Sequence, residues 1–110
     1  EGKFDSFSYR APTAIVSTAN INLKLNKNPS KEEIISLFLE AEKNQKWKIF
    51  SNNFEPLVSI DFKGNEHSVS VDHRWTAINK FGYARLVLWY DNEQGYGSRV
   101  LDLADYLLSH

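Results

Sequence analysis

Few side chains in this 110-residue chain combine chemical capability with a defined local frame. Arg10 follows the alternating segment Phe4 to Tyr9 and precedes Ala11-Pro12-Thr13. A guanidinium held on a rigid element suits two-pronged binding of phosphate. A lone surface arginine more often forms a weak ion pair. Asn92 sits in Trp89-Tyr90-Asp91-Asn92-Glu93-Gln94-Gly95-Tyr96, where a strand pattern gives way to a helix pattern. Its amide carries a donor and an acceptor, the pair that matches another primary carboxamide. The bland alternative, for Asp91 as for Asn92, is a side-chain oxygen capping the helix start. By residue type Tyr96 is an aromatic anchor for that start, and Glu93 a favourable charge at a helix N-terminus. His67 and His73, six residues apart, would share one face of an unbroken strand, with Asp72 beside the second. No sharp ligand spacing supports a metal there, so no metal site is assigned. The chain has no cysteine, which excludes disulfides, thiolate metal sites and a cysteine nucleophile within it. It also lacks a phosphate-cradling glycine loop, a Ser-His-Asp arrangement and convincingly paired carboxylates.

Several elements must position these residues. Ile15 to Leu25 alternates cleanly, with Ile15, Ser17, Ala19, Ile21, Leu23 and Leu25 on one face and Val16, Thr18, Asn20, Asn22 and Lys24 on the other. The second face has no charge before Lys24, so it suits solvent or a polar subunit contact. Asn26-Lys27-Asn28-Pro29 is a turn cluster. Ser30 and Glu33 then form a capping box for a helix burying Ile34, Leu37, Phe38 and Ala41 and fading by Lys43-Asn44. Trp47 to Phe50 reads as a short strand, Asn52-Asn53 as a turn, and Leu57 to Ile60 as a brief apolar run. Lys63-Gly64-Asn65 and Asn79-Lys80-Phe81-Gly82 are further turns. Ser68 to Asp72 is extended, with Val69 and Val71 on one face. Ala84 to Tyr90 is apolar on both faces, as in a strand covered on both sides. A last helix runs from about Glu93 to Leu108, with Val100, Leu103, Ala104 and Leu107 as its stripe. Leu101 and Leu108 widen that stripe until the helix wants burial on two sides.

These elements predict an α+β fold. Its mostly antiparallel or mixed sheet has one helix packed on a face, plus a C-terminal helix. Hydrophobic residues are 42% and charged residues 25% of the chain, the balance of one ordinary globular domain. The formal net charge of -1 argues against nucleic acid, which needs a basic patch. No apolar run approaches the ~20 residues that cross a bilayer, and no signal segment opens the chain. It begins at Glu1, which predicts a processed product or a piece of something longer.

The string Trp89-Tyr90-Asp91-Asn92-Glu93-x-Gly95-Tyr96-x-x-Arg99-Val100-x-Asp102-Leu103 resembles the closing segment of the glyceraldehyde-3-phosphate dehydrogenase family. Arg10-Ala11-Pro12-Thr13, Glu55-Pro56-Leu57-Val58-Ser59 with Asp61-Phe62, and His67-Ser68 with Asp72 agree with it in order and rough spacing. The resemblance covers nearly the whole chain but only the C-terminal third of such an enzyme. It implies that residues 1–90 belong to the catalytic domain. Residues 91–110 would then be the C-terminal helix that packs on a dinucleotide-binding domain, and both that domain and the catalytic cysteine and histidine would lie outside this chain. It further implies substrate or inorganic phosphate on Arg10, and a nicotinamide ring oriented by Asn92 with Tyr96 packed near it.

The implied cofactor is NAD or NADP in the complete enzyme, with none expected to bind tightly to this piece. The implied substrates are an aldose phosphate and inorganic phosphate. The implied setting is cytoplasmic, self-associating as a tetramer, without nucleic acid or membrane. Departures from the family pattern are Ala11 for valine, Ala14-Ile15 for Pro-Asn, Gln94 for tryptophan or threonine, and His73-Arg74-Trp75 for small residues. Two alternatives stay open: a non-catalytic α+β interaction module, and an enzyme acting on erythrose 4-phosphate.

Overall fold

The computed structural model describes residues 2–3, 5–12 and 16–110. Five strands form one mixed sheet: β1 (Ser17–Lys24), β2 (Phe50–Asn53), β3 (Val69–Asp72), β4 (Ala77–Ile78) and β5 (Tyr83–Tyr90). Helix α1 (Lys31–Asn44) follows β1, and α2 (Asn92–Leu108) closes the chain. The sheet order is β1-β5-β3-β2, with β4 pairing with β5. This is the predicted class, a mixed sheet with one packed helix and a C-terminal helix.

β5 is the central strand because three partners need it. β1 runs antiparallel to it along its full length, from Ser17 opposite Tyr90 to Lys24 opposite Tyr83. β3 pairs with its C-terminal half and β4 with its N-terminal half, both antiparallel. Its residues alternate: Ala84 and Leu86 are buried with Ile34 of α1, and Ile21, Leu25, Phe38, Ile78 and Leu88 pack around them. The reverse face is covered only at its end, where Phe62 of a 3₁₀ helix (Ser59–Phe62) stacks on Trp89 at 5.6 Å. Tyr83 and Arg85 on that face are exposed. The expectation of a strand covered on both sides is therefore met only over its second half.

The start of α1 is as read: Ser30 Oγ accepts from the Glu33 amide at 3.1 Å, and the Ser30 amide donates to Glu33 Oε2 at 2.6 Å. Its burial is narrower than predicted. Ile34 is buried and Phe38 half-buried, whereas Leu37 and Ala41 face out, since the sheet meets only the rows of Ile34 and Phe38. In β1, Thr18, Asn20 and Asn22 are exposed while Ser17, Ala19 and Ile21 are half-buried. Val16, assigned to the uncharged outer face, is instead buried, and it precedes the paired strand. Ile15 lies outside the described residues, as does Phe4. Residues 5–10 form no strand and are exposed.

The turn expected at Asn52-Asn53 is in fact β2, parallel to β3 with Asn52 opposite Val71 and Asn53 opposite Asp72. Two asparagines suggest a turn because their side chains usually bond local backbone. Here Asn52 Nδ2 donates to Glu42 Oε2 at 2.6 Å and to the Phe38 carbonyl at 3.2 Å, both on α1. Tertiary partners replace the local ones at Asn52, whereas Asn53 keeps them: its Nδ2 donates to the Glu55 carbonyl at 2.9 Å and its Oδ1 accepts from the Glu55 amide at 3.3 Å. The parallel pair also needs a crossover, and residues 54–68 supply it through the 3₁₀ helix. Gly64 and Gly82 take φ of +76° and +79° in the two predicted turns, a region open to glycine at little cost.

Candidate cofactor-binding site

The junction of β5 with α2 resolves the ambiguity between Asp91 and Asn92. Asp91 is the cap: its Oδ1 accepts from the amides of Glu93 at 3.1 Å and Gln94 at 3.0 Å. Its Oδ2 accepts from the Gly64 amide at 3.0 Å, which ties the loop after the 3₁₀ helix to the helix start. The amides of Gln94 and Gly64 hold the Asp91 carboxyl below its usual range, against the opposing effect of burial. Asn92, the first residue of α2, is released from capping. Its Oδ1 accepts from Ser17 Oγ on β1 at 3.2 Å. Its Nδ2 has no partner among the described residues, and the residue is exposed.

Tyr96 is 73% exposed, so it is not an anchor for the helix start. That work is done by Asp91, Gly95 and Arg99, spaced at i, i+4 and i+8 on one face. Gly95 packs so close to the strand leading into β3 that a Cβ would stand 3.1 Å from the His67 carbonyl oxygen and 3.3 Å from Ser68 Cα. Arg99 donates to Ser68 Oγ at 3.0 Å and to the Lys48 carbonyl, and pairs with Asp102 at 2.7 Å. The bonded anchors of α2 are thus small and polar; of its apolar stripe, Leu103 lines a groove with Trp47, Ile49 and Arg99, while Val100 and Leu107 are exposed. Glu93 is exposed in the first turn, as its charge favours.

Arg10 is exposed. No hydrogen bond or ion pair among the described residues joins it to Asn92 or Tyr96. Its motif neighbour Thr13 lies outside the described residues.

His67 and His73 make separate hydrogen bonds, and among the described residues no group of three or more His, Asp or Glu is arranged to hold a metal. His67 precedes β3 and bonds Asn65 Oδ1 through Nδ1 at 2.9 Å. His73 is 2% exposed. Its Nε2 meets Asn52 Oδ1 at 2.6 Å and its Nδ1 meets Thr76 Oγ1 at 3.0 Å. Because Asn52 Nδ2 is spent on α1, its Oδ1 must accept. His73 Nε2 therefore carries the proton, and Nδ1 accepts from Thr76. Phe54 stacks on the ring at 4.9 Å, and burial pushes the imidazole pKa down while Asp72 opposes. Asp72, fully buried, receives Arg74 Nε at 2.9 Å, an Arg74 terminal nitrogen at 2.6 Å and Trp89 Nε1 at 3.2 Å. Burial pushes its carboxyl up, but the bonds from Arg74 and Trp89 outweigh it and hold it below the usual value. His73 and Arg74 of His73-Arg74-Trp75, for which residue types alone suggested no role, thus form a clamp at the end of β3, while Trp75 is exposed. The signal that could have found it is an arginine two residues after an aspartate on an otherwise apolar strand.

A family profile described as glyceraldehyde 3-phosphate dehydrogenase, C-terminal domain, matches residues 1–92. The chain belongs to the glyceraldehyde 3-phosphate dehydrogenase family. It is 39% identical over 109 residues to glyceraldehyde-3-phosphate dehydrogenase B of Aspergillus oryzae, covering 99% of this chain and 33% of that protein. It is 39% identical over 110 residues to glyceraldehyde-3-phosphate dehydrogenase of Borreliella burgdorferi, covering 98% and 33%. With the chloroplastic GAPA1 enzyme of Arabidopsis thaliana it shares 32% identity, over 100% of this chain and 28% of that one. The chain spans about a third of the length of these dehydrogenases. No helix among the described residues is long and apolar enough to cross a membrane.

Proposed function

We propose that this chain is the C-terminal part of the catalytic domain of an NAD- or NADP-dependent glyceraldehyde-3-phosphate dehydrogenase. The complete enzyme oxidises an aldose phosphate to an acyl phosphate through a thioester on a cysteine outside this chain. Within it, Arg10 binds the phosphate of the substrate or inorganic phosphate, Asn92 orients the nicotinamide and Tyr96 packs near the ring. Residues 91–110 dock on the dinucleotide-binding domain, and the assembly is a cytoplasmic oligomer. The dinucleotide would supply the hydride acceptor. This chain's share is orientation, the usual contribution of protein to cofactor chemistry.

The observation that carries the reading is the amide nitrogen of Asn92, without a partner among the described residues, on an exposed residue at the start of a helix that a different residue caps. A carboxamide so placed fits the carboxamide of a nicotinamide ring, and the exposed ring of Tyr96 one turn away fits a flat neighbour. Arg10 is exposed and has no ion pair among the described residues, which fits a phosphate brought by a ligand.

The test is kinetic. In the full-length enzyme ending in this chain, Asn92→Ala should cost on the order of a hundredfold in turnover with little change in melting temperature. Arg10→Ala should raise the KM for phosphate and substrate. The 110-residue chain alone, with no cysteine, should show no turnover of glyceraldehyde 3-phosphate with NAD and phosphate. Turnover by the isolated chain would overturn the placing of the nucleophile outside it, and an Asn92→Ala enzyme with unchanged turnover but a lowered melting temperature would leave Asn92 a helix cap only. Faster turnover of erythrose 4-phosphate would move the reading to that relative.

A further inference from the structure

An exposed asparagine amide has two faces, and a half-turn about its last bond exchanges donor for acceptor. Orientation of a cofactor ring needs one of them held. We propose that Ser17 is the positioning residue that sets the Asn92 carboxamide, an inference that rests on the reading of Asn92 as the nicotinamide contact. Ser17 Oγ donates to Asn92 Oδ1 at 3.2 Å across 75 positions of sequence. With Oδ1 engaged, Nδ2 is the atom left for an acceptor such as a carboxamide oxygen.

The hydroxyl is itself held. Ser17 opposes Tyr90 in the paired stretch of β1 and β5, and the neighbouring Val16 is buried. Sheet register, not the serine's own rotamer alone, brings Oγ to Asn92. The backbone of Asn92 is fixed separately by the Asp91 cap. Two elements thus converge on one amide: the cap places its Cα, and β1 chooses its face. Serine has no special affinity for a strand, and among the described residues the only hydrogen bond of its side chain goes to Asn92. Losing that bond on an exposed group should hardly move stability, since water can replace it.

Two measurements test this. In the 110-residue chain, the side-chain amide of Asn92, assigned by its loss in Asn92→Ala, should have a high NMR order parameter. Ser17→Ala should drop it to the flexible range, below about 0.6, and Ser17→Thr, which keeps the hydroxyl, should restore it. An unchanged order parameter in Ser17→Ala overturns the proposal. In the full-length enzyme, Ser17→Ala should lower kcat by about tenfold, a fraction of what full misplacement costs, with Ser17→Thr near the parent. In the Asn92→Ala background, Ser17→Ala should cause no further loss. If it causes the same loss in both backgrounds, Ser17 acts elsewhere and this proposal alone fails. If Asn92→Ala has no effect on turnover, the nicotinamide reading fails and takes the proposal with it.

Discussion

Asp91 and Asn92 differ by one side-chain group, yet the structure gives them separate work. Asp91 caps α2 and gathers a third amide from Gly64. Asn92 is left with an outward-facing amide. Residue types could not divide these roles, because both side chains cap helices well; the division comes from a glycine turn 27 positions away. Asp91→Ala should therefore destabilise the chain by about 1–2 kcal/mol, the upper range for a lost cap. Asn92→Ala should cost well under that, as compared by urea unfolding.

His73 allows a further residue-scale prediction. Its imidazole is buried neutral, with its pKa pushed below 6.5. The charged groups facing it are Asp72 on β3, and Lys31 and Glu42 on α1. A proton binds the unfolded chain before the folded one, so the stability His73 contributes is complete above about pH 6.5 and shrinks as pH falls below it. His67, also lowered by burial, adds in the same direction. Asp72 and Asp91, held down, lose their contribution only as pH falls below their unfolded values near 3.8. Urea midpoints should decline between pH 7 and pH 5. His73→Gln, less stable at pH 8, should decline less steeply over that interval. Parallel slopes would assign the decline to His67.

At the scale of elements, period and punctuation were good guides where an element's own residues decide it. The capping box of α1, the alternation of β1, the extent of β5 and α2, and both glycine turns follow from local chemistry. What the residues did not reveal depends on partners far away. β2 is hidden because Asn52 in a strand is explained only by Glu42, Phe38 and His73, while Asn53 still makes the local bonds of a turn. β4 was hidden because two residues carry no period. Nor could the stripe of α2 say which face is anchored, since Asp91, Gly95 and Arg99 hold the helix through polar and backbone contacts. Its two glycines make a matched test. Gly→Ala inside a helix ordinarily stabilises by roughly 0.5–1 kcal/mol. Gly97→Ala should do so, because nothing lies within 4 Å of the added methyl. Gly95→Ala should instead destabilise by about 1–3 kcal/mol, since its methyl meets backbone of residues 67 and 68 that cannot yield without shifting the lead-in to β3. Opposite signs in thermal melts of the two variants are the expected outcome; two increases would show that α2 is not seated on that backbone.

The whole molecule looks built to be covered. Its radius of gyration is 15.5 Å, against about 13 Å for a self-contained domain of this length. Among the described residues the buried hydrophobics are Val16, Ile34, Phe62, Val71, Ala84 and Leu86, a thin core for 110 residues. The stripe of α2 is bare, with Leu101 72% and Leu108 89% exposed and Val100, Leu103 and Leu107 open beside them. Apolar surface of this extent marks a missing interface. The outer face of β1 offers a second, uncharged surface in Thr18, Asn20 and Asn22. The isolated chain should therefore self-associate, most simply as a symmetric pair. Light scattering over a tenfold concentration range should give a mass rising above 12.7 kDa; a constant monomer mass would defeat the prediction. Lysine substitutions locate the surface. Val16 is unsuited, being buried, and a lysine there would report unfolding instead. Leu101→Lys should restore the monomer if α2 forms the contact, and Asn20→Lys should do so if the sheet face does. The greater apolar area lies on α2, and burial stabilises by about 25 cal/mol for each Å² of it, so Leu101→Lys should be the more effective of the two.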